Sequence, residues 1–172
     1  MLTGGPVAVA TALAAVGSAL VAGVFLAFTA FVMRALDALD APAAIAAMQQ
    51  VNRFAPRAGL LVPLLGTALL CVVLAVLAVV SLATGPSARG WLVLVGCLLH
   101  LVAFGVTSAY HVPHNDALAL VDPRAAGSLE VWRAYAGPWL AWNHVRTAAA
   151  GFASVALLAA LLVPLGTGRG VS

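Results

Sequence analysis

The stretch VAVATALAAVGSALVAGVFLAFTAFVM, residues 7–33, contains no charged side chain. A helix of about 20 apolar residues crosses the roughly 30 Å hydrocarbon core of a bilayer, so this stretch predicts a membrane-spanning helix with length to spare. Further apolar runs predict spans over residues 58–83, 91–110 and 145–165. We therefore predict an all-α fold, an integral membrane four-helix bundle, in which residues 1–172 form a single transmembrane domain.

The composition indicates the same environment. Of the 172 residues, 64% are hydrophobic and 8% are charged, and the mean hydropathy is +1.11. A soluble domain has about a quarter of its residues charged, so the lipid bilayer is the expected partner of this surface. The net charge of +3 is too small and too dispersed for a nucleic-acid-binding surface.

The first span is expected to belong to the mature protein. No basic residue precedes it, and its apolar run is about twice as long as the core of a signal peptide. Small side chains recur along it every three or four positions, a pattern that predicts the face in contact with a neighbouring helix. They are Ala8, Ala12, Ala15, Ala19, Gly23 and Ala27.

An even number of spans places both termini on one side of the membrane and the first and third loops together on the other. Arginines are divided unequally between the two sides, since Arg89 and Arg169 lie with the termini. Five arginines flank the first and third loops: Arg34, Arg53, Arg57, Arg124 and Arg133. The positive-inside rule then predicts cytoplasmic first and third loops, with the termini outside.

Two segments between the spans also have helical patterns. In AAIAAMQQVNRFAP, residues 43–56, apolar side chains recur at three-residue spacing, which predicts a short interfacial helix after the first span. In VWRAYAGPWLAWNHVRT, residues 131–147, aromatic side chains recur at helical spacing and predict an aromatic-rich loop or helix before the fourth span. Gly137 and Pro138 are expected to break this helix, which restarts at Pro138. The simplest interpretation of the aromatic residues is a belt at the membrane surface.

Asn143 and Arg146 are three residues apart, on one helical face at the entry to the fourth span. A polar or charged group at that depth needs either a partner or a function. For Arg146 the alternative is snorkelling, in which the side chain extends to lipid phosphate.

Three histidines accompany these residues, and three interpretations of them remain open. His111, His114, Asp116 and His144 together offer imidazole and carboxylate ligands for one divalent metal ion. A histidine is also the usual general base near neutral pH. The third interpretation is structural hydrogen bonding. Pro113 is expected to interrupt the helical geometry that would align His111 with His114.

Four short motifs resemble a known family. They are GVFLAFTAFVMRAL (residues 23–36), AMQQVNRF (residues 47–54), PHNDAL (residues 113–118) and WNHVRT (residues 142–147). Together they resemble the bacterial membrane proteins grouped with the fungal anthrone oxygenases, and the resemblance extends to the four-span layout.

The resemblance implies an oxygenase that converts an anthrone to an anthraquinone with O₂ in polyketide biosynthesis. It implies a monooxygenase without flavin or haem, in a bacterial inner membrane. The positions that match the family are Asn115, Trp139, Asn143, His144 and Arg146. The chain departs from the family pattern at His111 and His114.

On this hypothesis the substrate is a flat, apolar phenol with an acidic methylene group. The candidate catalytic residues are a base among His111, His114 and His144, and the oxyanion-stabilising pair Asn143 and Arg146. The candidate substrate-binding residues are Gln49, Asn52, Asn115, Tyr135, Trp139 and Trp142.

Two alternative functions stay open at this point. One is a non-catalytic membrane scaffold or partner subunit, in which the polar and aromatic residues only anchor the protein. The other is a metal oxidoreductase with one divalent ion on the histidines. A homo-oligomer is compatible with each of the three hypotheses.

Overall fold

The structure is a computed structural model that describes residues 4–164, without the side chains of residues 57 and 58. This part of the chain is all-helical. Four helices are long and apolar enough to span a membrane, and a shorter helix follows the first. In chain order they are α1 (Gly5–Asp37), α2 (Ala41–Phe54), α3 (Val62–Thr84), α4 (Ala88–Ala119) and α5 (Ser128–Leu162). The chain is thus an integral multi-pass membrane protein.

The four spans exist as predicted, but two of them are much longer than their apolar runs. Helix α4 continues past residue 110 to Ala119, and α5 begins at Ser128, ahead of the predicted start at residue 145. The predicted end of the last span at residue 165, like Arg169, lies outside the described residues.

The two prolines that were expected to interrupt helices do not end them. Pro138 lies inside α5, where the helix is buried on both sides of it through Tyr135 and Trp139. Packing of this kind outweighs the roughly 3 kcal/mol that a proline costs in a helix interior. Ahead of Pro113, α4 contains a π-helical turn, Thr107–His111, and then continues as an α-helix.

Helix α5 is the centre of the bundle, because α1 and α4 both pack along it and α3 packs against α4. At mid-depth the hydroxyl of Ser18 lies 3.0 Å from Nδ1 of His100, and Nε2 of that ring lies 3.3 Å from the carbonyl oxygen of Leu64. His100 therefore points into the bundle and joins α1, α3 and α4.

The predicted packing face of α1 was wrong by about one position. Ala15 is buried, but Ala19 and Gly23 are exposed. The buried residues of α1 are Thr11, Ala14, Ala15, Gly17, Ser18, Val21 and Phe25. Nearly every residue of this helix is small or apolar, so the sequence does not distinguish one face from another. Contacts with the other helices decide which face is buried.

Gly17 lies in close contact with Thr67 of α3, and Gly17→Ala is expected to lower the free energy of unfolding by about 1–3 kcal/mol. An added Cβ would overlap the hydroxyl of Thr67, and rotation of that side chain would still leave a tight contact, because the Cβ of Thr67 lies 3.1 Å from the new carbon. Thermal unfolding in one detergent measures the effect.

Gly23→Ala is the matched control, because no atom lies within 4 Å of its added Cβ. It should leave the midpoint unchanged or raise it, since alanine favours helix. Equal midpoints for the two variants would contradict the close contact between α1 and α3.

Helix α2 is the predicted helix after the first span. The Asp40 carboxylate caps it by accepting a hydrogen bond from the Ala43 amide at 3.0 Å, and Ile45 and Met48 are buried against the bundle. The Gln49 side-chain amide donates to the carbonyl oxygens of Leu118 and Val121, both at 2.9 Å. This contact brings the first and third loops together.

Candidate functional site

A cavity of about 160 Å³ lies between the helices, toward the end of the bundle where the first and third loops meet. Every helix contributes to its wall. The lining residues are Val24, Phe25, Phe28, Val51, Asn52, Ala55, Pro56, Leu60, Leu61, Leu64, Thr107, His111, Val112, Asn115, Trp139 and Arg146. A largely apolar wall with a few convergent polar groups is typical of a small-molecule site.

Turns of π-helix build much of this wall. The four π segments of the described chain are Phe28–Val32, Pro56–Leu60, Val62–Gly66 and Thr107–His111, and each supplies at least one lining residue. A π turn holds one more residue than an α turn, so it widens the helix locally and often marks a functional site.

Arg146 is the charged residue of the cavity, and its side chain is only 5% exposed. Its Nε donates to Oδ1 of Asn143 at 2.9 Å, and Nη1 donates to the Thr107 hydroxyl at 3.4 Å. The guanidinium carbon lies 3.9 Å from the ring centroid of Phe25 and 5.1 Å from that of Trp139. These rings stabilise the cation through their faces.

No carboxylate pairs with Arg146 among residues 4–164. A guanidinium has five N–H groups, and two of them are used by Asn143 and Thr107. The others are available to the cavity. Snorkelling to lipid phosphate does not describe this side chain, because it points into the bundle. A buried charge with free donors and no counter-ion is suited to bind an anion.

Asn143 holds Arg146 and fastens α5 to α1. Its side-chain NH₂ donates to the carbonyl oxygen of Phe25 at 2.9 Å and to the Thr29 hydroxyl at 2.8 Å. Its Oδ1 accepts from Arg146. Asn143 is completely buried, so each of these bonds replaces one to water.

A second network of hydrogen bonds lines the cavity, and Trp139 determines which of its groups donate and which accept. The indole N–H of Trp139 can only donate, and it lies 3.0 Å from Oδ1 of Asn115. The Tyr135 hydroxyl donates to the same oxygen at 2.8 Å and accepts from the Asn52 amide at 3.4 Å. The NH₂ of Asn115 therefore points away from Trp139 and Tyr135. Oδ1 of Asn52 accepts no hydrogen bond from the described residues.

The three histidines are not brought together. His111 is buried in the cavity wall, with Nδ1 3.3 Å from the Val106 carbonyl oxygen and Nε2 3.3 Å from that of Trp139. His114 is exposed, where its ring stacks on Tyr110 at a centroid distance of 3.9 Å. His144 is exposed on α5, away from the cavity lining.

The proposed metal ligands are dispersed in the same way. Asp116 is exposed, and within the described range no three side chains of histidine, cysteine or acid converge as a metal-binding group. The geometry therefore gives no support to the ligand set of His111, His114, Asp116 and His144.

The aromatic residues are mostly interior, so the belt interpretation applies to only one of them. Trp132, Tyr135 and Trp139 are buried, and Trp139 lines the cavity, whereas Trp142 is exposed beside Tyr110. Gln49 has a structural contact with the third loop and lies outside the lining.

Some residues that complete the cavity could not be recognised from the sequence. Thr107 sits in an apolar span, and Phe25 and Phe28 are two of several aromatic residues in α1. Phe28 and Thr107 lie in π turns, which the spacing of apolar residues in the sequence does not reveal. Phe25 lies one turn before Phe28 on the same helix.

The family model described as anthrone oxygenase matches residues 58–156. This range covers α3, α4 and most of α5, and includes Asn115, Trp139, Asn143 and Arg146. Comparison with curated proteins and with solved structures yields no match.

Proposed function

Because the chain belongs to the anthrone oxygenase family, we propose that it is a membrane oxygenase that oxidises a flat, anthrone-like phenol with O₂ in the Arg146 cavity. The observation that carries this proposal is the buried, unpaired guanidinium facing an apolar cavity. It stabilises the electron-rich anion that such a substrate must become before it reacts with O₂.

The reaction balances with O₂ as the only oxidant. Loss of a proton from the ring methylene gives a carbanion whose charge is delocalised onto the ring oxygen. O₂ takes up the electrons and forms a new C–O bond, which gives a hydroperoxide after protonation. Loss of the second methylene proton with cleavage of the O–O bond yields the ketone and water. Overall, one CH₂ and one O₂ become one C=O and one H₂O.

Two polar side chains of the wall bind the substrate anion in this reaction, and two aromatic rings hold its ring system. Arg146 and the NH₂ of Asn115 donate to the substrate oxyanion, and Phe28 and Trp139 confine the flat rings. The ring centroids of Phe28 and Trp139 are 5.3 Å apart and their planes are inclined by 50°, so the two rings form an angled aromatic corner of the wall.

His111 is the proposed proton acceptor. A neutral imidazole has a single N–H and can donate to only one of the two carbonyl oxygens it faces. The imidazolium would donate to both. The imidazolium would be the second positive charge in the cavity, beside Arg146, and it is tolerated only when an anion is bound there. Proton uptake by His111 is therefore coupled to formation of the substrate anion.

The proposal requires no cofactor, because the substrate anion is itself the reductant. It also retains cytoplasmic first and third loops in a bacterial inner membrane, the orientation indicated by the arginines.

Oxygen uptake by the purified protein in detergent, with a hydroxylated anthrone as substrate, tests this function. We expect one O₂ consumed per anthraquinone, an ¹⁸O label in the new carbonyl from ¹⁸O₂, and activity that survives removal of metals by chelation. Asn115→Asp should lose most of the rate, because a carboxylate still accepts from Trp139 but repels the oxyanion. Exposed His114→Gln is the control. If a panel of anthrones and related phenols shows only the uncatalysed rate, the oxygenase proposal is wrong.

A further inference from the structure

Part of the wall of the cavity around Arg146 reaches the outer surface of the bundle, where apolar side chains are exposed. Its exposed lining residues are Pro56 and three larger apolar residues, which we call the rim: Val24 is 38% exposed, Leu61 51% and Val112 47%. All are apolar, and their neighbours Leu20 and Val62 are exposed apolar residues as well. The rim therefore lies within exposed apolar surface.

The rim residue of α1 is deep enough to face lipid tails. Val24 precedes Arg34, the next charged residue of α1, by about ten residues, or about 15 Å along a helix. Leu61 and Val112 lie nearer to charged positions, each four residues along the chain from Arg57 and Asp116 respectively. The rim therefore extends from the level of lipid tails toward the membrane surface.

The cavity is too small for a large ligand. Its volume of about 160 Å³ is close to that of an engineered protein cavity of roughly 150 Å³ that binds benzene. It therefore encloses about one aromatic ring, and any larger ligand, a fused-ring anthrone included, must extend through the rim. The inner end holds the free N–H groups of Arg146, which fix the position of a ligand oxygen.

We infer that the ligand is an amphiphile, a lipid-soluble phenol whose oxygen-bearing ring occupies the cavity while an apolar chain passes between Val24, Leu61 and Val112 into the bilayer. The inference rests on the proposed function in one respect, the binding of a ring oxygen at Arg146. It narrows the substrate class from flat phenols in general to alkyl-substituted ones.

Such a ligand reaches the site without crossing water. Its chain stays in hydrocarbon whether the ring is free or bound, so the chain contributes little to the affinity measured per mole of lipid. Its effect is to hold the ring at the level of the rim. A side chain that blocks the rim should consequently weaken the binding of chain-bearing phenols only.

Two coloured probes test this in lipid nanodiscs: 4-octyl-2-nitrophenol and 4-methyl-2-nitrophenol, which ionise near neutral pH and absorb visible light as anions. We expect Val24→Trp to weaken binding of the octyl probe by about tenfold, or about 1.4 kcal/mol, and to leave the methyl probe within about twofold. Leu61→Trp, across the rim, should do the same. Arg146→Met should remove binding of both.

Val16→Trp is the matched control, because Val16 lies on the same helix, is 55% exposed and does not line the cavity. It should change neither affinity. Octyl binding unchanged by both rim variants, or both probes weakened equally, would overturn the inference. If the rim variants weaken only the octyl probe and no phenol stimulates O₂ uptake, the inference is supported and the oxygenase proposal is wrong. If O₂ uptake occurs but the rim variants do not distinguish the two probes, the oxygenase proposal is supported and the inference is wrong.

Discussion

Arg146→Met is expected to reduce oxygenation by about 10²–10³-fold while the protein still folds. Loss of one donor to an oxyanion costs this much in enzymes that stabilise such charges. Methionine has a similar length and suits an apolar cavity, and removal of an unpaired buried charge offsets the two lost hydrogen bonds. The midpoint of thermal unfolding should therefore stay within a few degrees of the parent protein, as estimated from the size of single hydrogen bonds.

The division of the loss between kcat and KM identifies the role of the charge. If Arg146 stabilises an anion that forms only on the enzyme, kcat falls more than KM rises. Arg89→Met is the control, because Nε of Arg89 bonds to the Ala160 carbonyl oxygen and Arg89 does not line the cavity. A well-folded Arg146→Met protein with nearly full kcat would exclude the proposed mechanism.

Asn143→Ala is expected to have the largest effect on stability, a loss of about 2–4 kcal/mol. It removes two bonds that fasten α5 to α1 and one that holds Arg146, and hydrogen bonds of this kind contribute about 1 kcal/mol each, with more lost when a charged partner stays buried. Thermal unfolding in detergent measures it. Thr147→Ala is the control, since it removes only a bond to the Asn143 carbonyl oxygen within the same helix.

Asn143→Asp separates the two roles of this residue. Aspartate keeps an acceptor for Arg146 and can accept from the Thr29 hydroxyl, so more of the stability should remain than in Asn143→Ala. Its negative charge neutralises the guanidinium, and ligand anions should no longer bind. If Asn143→Asp bound the nitrophenol probes as the parent does, Arg146 would not be the anion site.

The long apolar runs were sufficient to predict the four spans, because lipid demands uninterrupted helices of that length. The pair Asn143 and Arg146 was recognisable for a related reason, since polar groups at membrane depth are costly without a partner. The alternation within α1 was not informative: all its faces are apolar, and contacts such as the one between Gly17 and Thr67 decide which face is buried.

Local rules failed where tertiary packing overrides them. Pro138 was expected to break a helix that its buried neighbours keep intact, and polar residues after His111 were expected to form a loop when they extend α4. His111 and His114 were grouped because they are close in sequence, and His144 because its segment was expected on the same side of the membrane. Their separation depends on helical phase, which places His111 inside and His114 outside.

The π turn at Thr107–His111 means that the site depends on the count of residues as well as on their identities. The wide turn accommodates one extra residue, and the α-helix that follows it sets the direction of Asn115. Deleting one residue of that α-helix between His111 and Asn115 would turn Asn115 by about 100° about the axis and remove it from the wall, although every side chain of the site would still be present in the chain. Spacing along α4 is thus a constraint of its own, and insertions or deletions in this segment should be far less tolerated than conservative substitutions.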